Sequence, residues 1–442
     1  MKKAEELLEV IPQLHTFKKF GRVVRVVGLM IESQGPVSAI GDVCRIHLNN
    51  ERKNDTILAE VVGFREEIVI LMPYTKISDI SSGCLVECTG KPLEVKVGME
   101  LIGRVVDSMG NPIDQYPLPK GLTSVRTEQD PPSVLSRLPI QDQLAVGVKA
   151  IDGMLTVGNG QRVGIFAGSG VGKSTLLGMI ARNTTADLNV IALIGERGRE
   201  VREFIERDLG PEGLSRTIVV AATSDQPALM RIKGALTATA IAEYFRDKGM
   251  NVMLMMDSVT RVAMAQREIG LAVGEPPATR GYTPSVFSIL PKLLERTGTN
   301  EVGAITAFYT VLVDGDDMNE PIADAVRGIL DGHIVLDRTL ANKGQYPAIN
   351  VLKSVSRLMN HIASPEHVRA AEKLRELYYT FNKSEDLINI GAYKRGTSKE
   401  IDDAIDFEPR ITTYLKQSYK DNIRMEDSIG ELISLATGGG TR

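Results

Sequence analysis

Tryptophan is absent from this sequence of 442 residues, and aromatic residues as a whole make up only 5% of it. Proteins that bind single-stranded nucleic acids use aromatic side chains on which the bases stack, so this scarcity disfavours that class. Positive charge is not in excess either, because 52 lysines and arginines face 56 aspartates and glutamates, for a net charge of -4. We therefore expect no nucleic-acid partner.

Cysteine is rare, with only Cys44, Cys84 and Cys88 in the chain. An odd and sparse set of cysteines is typical of a reducing compartment. A zinc site is the alternative interpretation, but His47 is the only further ligand candidate near these thiols, which is too few for such a site. We favour three buried thiols over a metal centre.

Long hydrophobic runs are also missing. No stretch approaches the roughly 18 apolar residues of a membrane span. The first ten residues, MKKAEELLEV, carry two lysines but lack the continuous apolar core of a secretory signal. We expect a cytoplasmic protein that docks on other components.

The first 18 residues form a segment of their own. Ala4, Leu7, Leu8 and Ile11 follow the i, i+3, i+4, i+7 spacing of one helix face. Such a short helix is marginal in water and needs something to cover its apolar stripe. It either lies on its own domain or docks on a partner or a membrane surface, and we assign residues 1–18 as an amphipathic partner-docking segment.

The rest of the chain divides into three predicted domains. Short β-rich runs separated by Gly, Asn, Asp and Pro predict a small β-barrel over 19–91. From about Gly90, strands and helices alternate, which predicts an α/β domain with a parallel sheet over 92–360. Residues 361–442 turn helical and polar. The strand candidates of the central domain are 162–167, 190–195, 217–223, 252–257 and 304–313.

One segment of the central domain predicts a phosphate-binding loop. Residues 167–174, AGSGVGKS, match the pattern of that loop, with Ala167 in place of its first glycine, and lie between an apolar strand and a helix. Backbone N–H groups would surround the phosphates, Lys173 would reach the β- and γ-phosphates, and the Ser174 hydroxyl would bind Mg²⁺. The nucleotide-binding candidates are Gly168, Ser169, Gly170, Val171, Gly172, Lys173, Ser174 and Thr175.

Two acidic residues follow apolar strands and would lie near that loop. Asp257 ends the run VMLMMD and would emerge at the carboxyl edge of the sheet, where it could hold Mg²⁺ through its water shell. An N-cap for the following helix is the alternative role of Asp257. Glu196 follows VIALIG and could orient the attacking water, although an exposed glutamate in a charged loop would look the same in sequence.

These pieces resemble the rotary-type hexameric ATPases, which include the catalytic subunits of ATP synthases. The GER at 195–197 matches the family's catalytic-glutamate motif, DSVTR (257–261) its second nucleotide-binding box, and PAINVLKSVS (347–356) its signature segment. Within that family the chain resembles the flagellar protein export ATPases over nearly its whole length. The segments that carry this resemblance are GLMIES (28–33), AGSGVGKSTLLGM (167–179), ATSDQPALMR (222–231), GEPPATRGYTPSVF (274–287), GILDGHIVLDR (328–338) and LINIGAYKRG (387–396).

The resemblance implies a RecA-like core that hydrolyses ATP with Mg²⁺, and roles for residues that spacing alone does not assign. Arg197 would join Lys173 and Glu196 in catalysis. Arg357 would act as an arginine finger that reaches into the site of the neighbouring subunit. Tyr346 would stack on the adenine, unless it only packs as a half-buried aromatic residue.

The resemblance also implies an assembly. It implies a homohexamer at the inner face of the cell membrane, which releases and feeds flagellar export substrates. Its partners would be a stator-like regulator at the N-terminus, a central stalk protein, a membrane export gate and chaperone–cargo complexes. A virulence-type secretion ATPase and a rotary ATP synthase catalytic subunit are the alternatives within the family. A nucleic-acid translocase resembling the transcription terminator ring is the alternative outside it.

Overall fold

Six antiparallel strands close into a barrel near the start of the chain. The computed structural model describes residues 19–48, 55–77, 80–313, 315 and 317–438, so the predicted docking segment 1–18 lies outside the described residues. The barrel has the strand order β1-β2-β5-β4-β3-β6. Its strands are β1 Phe20–Val27, β2 Met30–Gln34, β3 Val43–His47, β4 Thr56–Arg65, β5 Ile68–Pro73 and β6 Leu85–Cys88.

The interior of the barrel is apolar because alternate side chains of each strand point inward. Val23, Ile31 and Ile46 are among the residues that fill it. Cys44 and Cys84 are buried there as free thiols, and Cys88 is half-buried opposite Cys44 on the neighbouring strand. The predicted barrel is confirmed.

The stretch that follows the barrel differs from the prediction. We expected alternating strands and helices from about Gly90, but the first α-helix after that residue begins at Lys149. Between them, β7 Glu94–Val97 pairs with β9 Thr123–Arg126 in a separate two-stranded sheet. Prolines are frequent from 112 to 139 and cannot donate backbone hydrogen bonds, which favours irregular chain over regular elements. The prediction was wrong for this stretch.

A nine-stranded sheet forms the centre of the molecule, in the order β17-β16-β10-β15-β13-β11-β12-β8, with β14 paired to β15. All five predicted strands are present in it and are parallel to one another. The short strands β8, β14, β16 and β17 were missed because few residues carry each apolar signal. The bounds are β8 Val105–Val106, β10 Arg162–Ala167, β11 Leu188–Ile194, β12 Thr217–Ala222, β13 Asn251–Asp257, β14 Gly298–Thr299, β15 Ala304–Leu312, β16 Gly332–Leu336 and β17 Val355–Ser356.

Helices cover both faces of this sheet, as expected for parallel strands that are buried on both sides. Two buried clusters lie on its two faces, one containing Leu254 and the other Met255, because neighbouring residues of a strand point to opposite faces. The helices between the strands are α1 Lys149–Met154, α2 Lys173–Asn183, α3 Gly198–Glu203, α4 Gly210–Leu214, α5 Ala228–Arg246, α6 Val259–Val273, α7 Pro284–Leu294, α8 Pro321–Ile329 and α9 Arg338–Asn342, with a π-helical turn at Phe204–Leu209.

The described chain ends in a helical part that packs on the central domain. Its helices are α10 Met359–Ile362, α11 Pro365–Asn389, α12 Lys399–Leu415 and α13 Met425–Ala436. Tyr414 ties this part to α1, since its hydroxyl lies 3.2 Å from the carbonyl oxygens of Lys149 and Ser428. Gly153 permits the contact, because a Cβ there would collide with the Tyr414 hydroxyl. None of the helices in the described ranges is both long and apolar enough to cross a membrane.

Candidate active site

The loop at 168–172 connects a central strand to a helix, as the sequence predicts. β10 lies between β15 and β16, and α2 begins at Lys173, directly after the loop. Gly170 and Gly172 adopt φ angles of 77° and 92°, a left-handed conformation that favours glycine. The free N–H groups at the start of α2 and the positive end of its dipole therefore face the carboxyl edge of the sheet, which makes an anion site.

A cavity of about 470 Å³ opens beside this loop. Most of the predicted nucleotide-binding residues line it, together with Glu196 and Arg197. Val171 does not, because its side chain is buried in the core, so only its backbone could contact a phosphate. The cavity has the size and the donors for the phosphates of a nucleotide.

Lys173 joins the two predicted acidic residues. Its Nζ atom lies 2.5 Å from Oδ1 of Asp257 and 3.4 Å from Oε1 of Glu196. Burial alone would lower the pKa of Lys173, but the two adjacent carboxylates outweigh burial and raise that pKa above its ordinary value. The lysine is therefore a permanent cation at the point where the terminal phosphates of a nucleotide would lie.

Asp257 lies behind the cavity wall rather than in it. The residue is buried, and Oδ1 also accepts a hydrogen bond of 2.7 Å from the Thr310 hydroxyl. The helix cap that we weighed for Asp257 is supplied instead by Ser258, whose side chain accepts from the backbone N–H of Arg261. The Asp257 carboxylate therefore meets Lys173 from behind the cavity and is not the cap of α6.

Glu196 has the environment of a proton acceptor. Burial raises its pKa, the nearby Lys173 partly offsets this, and the neighbouring Asp257 and Glu200 raise it further, so the pKa lies above the ordinary value of a glutamate. The exposed-loop alternative does not describe this side chain, which is mostly buried. Arg197, by contrast, is exposed, and its guanidinium lies 3.1 Å from Glu200.

Tyr346 lies close to the loop. The residue is 48% exposed, and a Cβ added to Gly172 would lie 3.5 Å from its ring. The Tyr346 carbonyl accepts the backbone N–H of Gln417, which holds the residue in place. An exposed aromatic face beside the phosphate loop could stack on a base.

Arg357 is the one predicted site residue that lies elsewhere. Arg357 follows β17, which pairs with β16 at Gly332. The phosphate loop follows β10, and the last residue of that strand pairs with Leu336 of β16. Gly332 and Leu336 are the two ends of β16, about 13 Å apart at ~3.3 Å per residue. Arg357 is therefore exposed at the amino edge of the sheet, held by its backbone N–H to the Asp331 carbonyl at 3.1 Å.

Arg261 is a site residue that sequence reasoning missed. It lies in the first turn of α6, directly after the strand that ends in Asp257, and its side chain lines the cavity. Its approach depends on Gly195, since a Cβ there would come within 2.9 Å of the Arg261 Cβ. The signal was present in the segment DSVTR, but only the fold shows that this arginine turns toward Glu196.

Comparison with known proteins agrees with this geometry. Models of the ATP synthase alpha/beta family match the β-barrel domain at residues 23–90 and the nucleotide-binding domain at 147–356, and a model of the T3SS EscN ATPase C-terminal domain matches 363–434. The flagellum-specific ATP synthase of Bacillus subtilis is 66% identical and spans 98% of this chain and 99% of its own. The type 3 secretion system ATPase of Xanthomonas euvesicatoria is 48% identical, over 95% and 94%.

Solved structures give the same picture. The assembled ATPase EscN of the enteropathogenic E. coli type III secretion system superimposes with a TM-score of 0.89 at 46% identity, covering 94% of this chain and 100% of that one. EscN in complex with its central stalk EscO superimposes with a TM-score of 0.87 at 45% identity, over 94% and 100%.

Proposed function

We propose that this protein works as a homohexameric ring. The chain belongs to the ATP synthase alpha/beta family, in its flagellar and type III secretion branch. It is therefore an ATP hydrolase of flagellar protein export. Relatives that are 66% and 52% identical carry flagellar names, and the type 3 secretion system ATPase of Xanthomonas euvesicatoria is 48% identical, which favours the flagellar assignment over the virulence one. The match of residues 363–434 to a secretion ATPase domain disfavours a rotary synthase subunit.

The observation that carries the ring is the position of Arg357. Glu196 and Lys173 lie at the carboxyl edge of the sheet and Arg357 at the amino edge, so one chain cannot bring them together. A planar guanidinium suits the charge on a transferring phosphoryl group. In a head-to-tail ring each protomer would supply the arginine for its neighbour.

An exposed apolar patch supports the same arrangement. Val134 and Leu135 are 85% and 96% exposed, and Leu138 is 54% exposed. Contacts connect this patch with Arg357: Arg137 and Arg162 both pair with the Glu295 carboxylate, and Arg162 pairs with Asp331. Because the Asp331 carbonyl accepts the backbone N–H of Arg357, these contacts support a position of the patch on the side of Arg357, which would face the next protomer.

Replacing Leu135 with Asp should weaken ring assembly. A charge at a buried protomer contact costs about 2 kcal/mol when the position is an interface hot spot, which is roughly thirtyfold in affinity. Gel filtration over a concentration series, with ATP and Mg²⁺, measures the change. The control is Ile390→Asp, at a residue that is 76% exposed in the helical part. Equal assembly of both variants would contradict the contact.

In the proposed mechanism, ATP takes over the contacts of Lys173. The ammonium turns from Asp257 and Glu196 toward the β- and γ-phosphates, where charge-assisted hydrogen bonds are strong. Glu196, freed of the lysine, accepts a hydrogen bond from the attacking water and aligns it with the γ-phosphate. Tyr346 would stack on the adenine, and Arg261, which lines the cavity, would face the γ-phosphate.

Mg²⁺ fits the proposed site. Ser174 lines the cavity in the first turn of α2, and the Asp257 carboxylate pairs with the adjacent Lys173. Both are oxygen donors of the kind that Mg²⁺ prefers, and the metal usually keeps several waters that a carboxylate such as Asp257 can hold. The ion would neutralise charge on the phosphate oxygens.

Glu196→Gln should bind ATP but turn over about 10²–10⁴-fold more slowly, because the phosphate cradle survives while the proton acceptor is lost. The pH profile gives a second readout. The carboxylate form is active and the pKa of Glu196 is raised, so wild-type activity should fall as the pH decreases through a value above the ordinary glutamate range. The variant should lack this decline. Glu206→Gln, on an exposed residue, is the control.

The partners beyond the ring are proposed from the family. The structure of EscN with its central stalk EscO supports a central stalk protein for this chain. A stator-like regulator at residues 1–18, a membrane export gate and chaperone–cargo complexes would complete the apparatus. The protein would then be cytoplasmic and associated with the inner face of the cell membrane at the export apparatus.

A further inference from the structure

A second cavity lies directly behind the nucleotide cavity. It also measures about 470 Å³, and Arg261 and Leu312 line both. Arg267 and Arg280 line the second cavity only. Between the two, the wall is held by the Leu312 backbone N–H, which donates to the Thr260 hydroxyl at 2.8 Å. The Arg261 side chain thus separates two spaces of similar size.

Arginines are prominent in the described lining of the second cavity. Among the residues that the structure describes, three guanidinium groups line it together with the carboxylate of Glu320, which accepts a hydrogen bond from the Tyr282 hydroxyl at 3.0 Å. Arg280 also pairs with Asp317 at 3.1 Å. Among the described residues the three arginines outnumber these two carboxylates, so this wall of the cavity suits an anion.

Two of the arginines are arranged to receive a ligand. The Arg261 Nε atom is buried and has no hydrogen-bond partner among the residues that the structure describes. A buried donor without a partner costs free energy, and an oxyanion in the cavity would accept its hydrogen bond. Arg267 lies over the Tyr282 ring at 5.6 Å, which fixes the guanidinium plane at the cavity wall.

We propose that this arginine-lined cavity is the exit site for inorganic phosphate. The proposal rests on the hydrolysis proposed above. After cleavage the phosphate would lie beside Arg261 in the nucleotide cavity, while ADP still occupied the phosphate loop and the neighbouring protomer of the proposed ring covered the open side. The phosphate would then leave past the Arg261 side chain, which would have to move aside, into the second cavity, where Arg267 would hold it before it reaches solvent.

The test separates cleavage of ATP from release of phosphate. Rapid quenching measures cleavage, and a fluorescent phosphate sensor in stopped flow measures release, both on the assembled full-length protein. Arg267→Met should leave the cleavage rate within about twofold of wild type and slow release about tenfold, as expected for one lost charged hydrogen bond. Arg267→Lys, which keeps the charge, should restore most of the release rate. The control Arg424→Met changes an exposed arginine outside the site.

Each outcome decides the proposal. Release as fast as in wild type, or equal slowing of cleavage and release, overturns it, because a merely structural role of Arg267 would not separate the two steps. Arg267→Gln gives the same measurement if Arg267→Met does not fold. A failure of the proposed hydrolysis would look different, since wild-type protein would then show no cleavage in the quench experiment.

Discussion

Arg357→Ala should lower the ATP turnover of the assembled protein by about 10³–10⁵-fold, the range for loss of an arginine finger. ATP binding by the isolated chain should change little, because Arg357 lies at the edge of the sheet opposite the phosphate loop. Steady-state hydrolysis and nucleotide titration measure the two effects. Arg395→Ala, at an exposed arginine of the helical part, is the matched control and should behave as wild type.

Mixing two inactive variants tests whether the arginine acts across the interface. A ring of Arg357→Ala and Glu196→Gln chains regains an intact pair wherever a chain with Glu196 meets a neighbour with Arg357. With equal amounts and random order, roughly a quarter of the interfaces are intact. Activity should return in proportion. Mixed rings that are verified by mass spectrometry and remain inactive would show that Arg357 does not serve its neighbour's site.

Lys173→Ala should lose both nucleotide binding and hydrolysis. One charged hydrogen-bonding group contributes about 1.5–3 kcal/mol, so ATP affinity should fall roughly 10- to 150-fold. Turnover should fall further, because the lysine also balances the charge that develops on the leaving phosphate. Calorimetric titration and a hydrolysis assay measure the two losses.

The same variant has a consequence for the free protein. Without the Lys173 cation, Asp257 and Glu196 face each other, and the pKa of Glu196 should rise further above its ordinary value. Because protonation of Glu196 would relieve this repulsion, the variant should gain thermal stability relative to wild type as the pH is lowered. Lys343→Ala, at an exposed lysine paired with Glu385, is the control. Normal ATP affinity of Lys173→Ala would contradict the assignment of this residue.

The site was predictable where its parts are neighbours in sequence. Strand, loop and helix follow one another at 162–183, and apolar strands such as Asn251–Asp257 can be predicted from their run of apolar residues. The prediction of alternating strands and helices was wrong for the stretch 91–147, because its prolines interrupt the regular elements that a domain of this class otherwise has. Arg261 was not assigned, since an arginine in a helix has the same appearance whether it faces solvent or a cavity.

The sequence by itself determined the phosphate loop, its lysine and the strands that precede the two acidic residues, because local backbone preference and burial govern these elements. Only the tertiary structure decided that Lys173 contacts both Asp257 and Glu196, and that Arg357 lies on the opposite edge of the sheet. The order of the strands sets both results. That order depends on how distant segments pair, and spacing along the chain does not encode it.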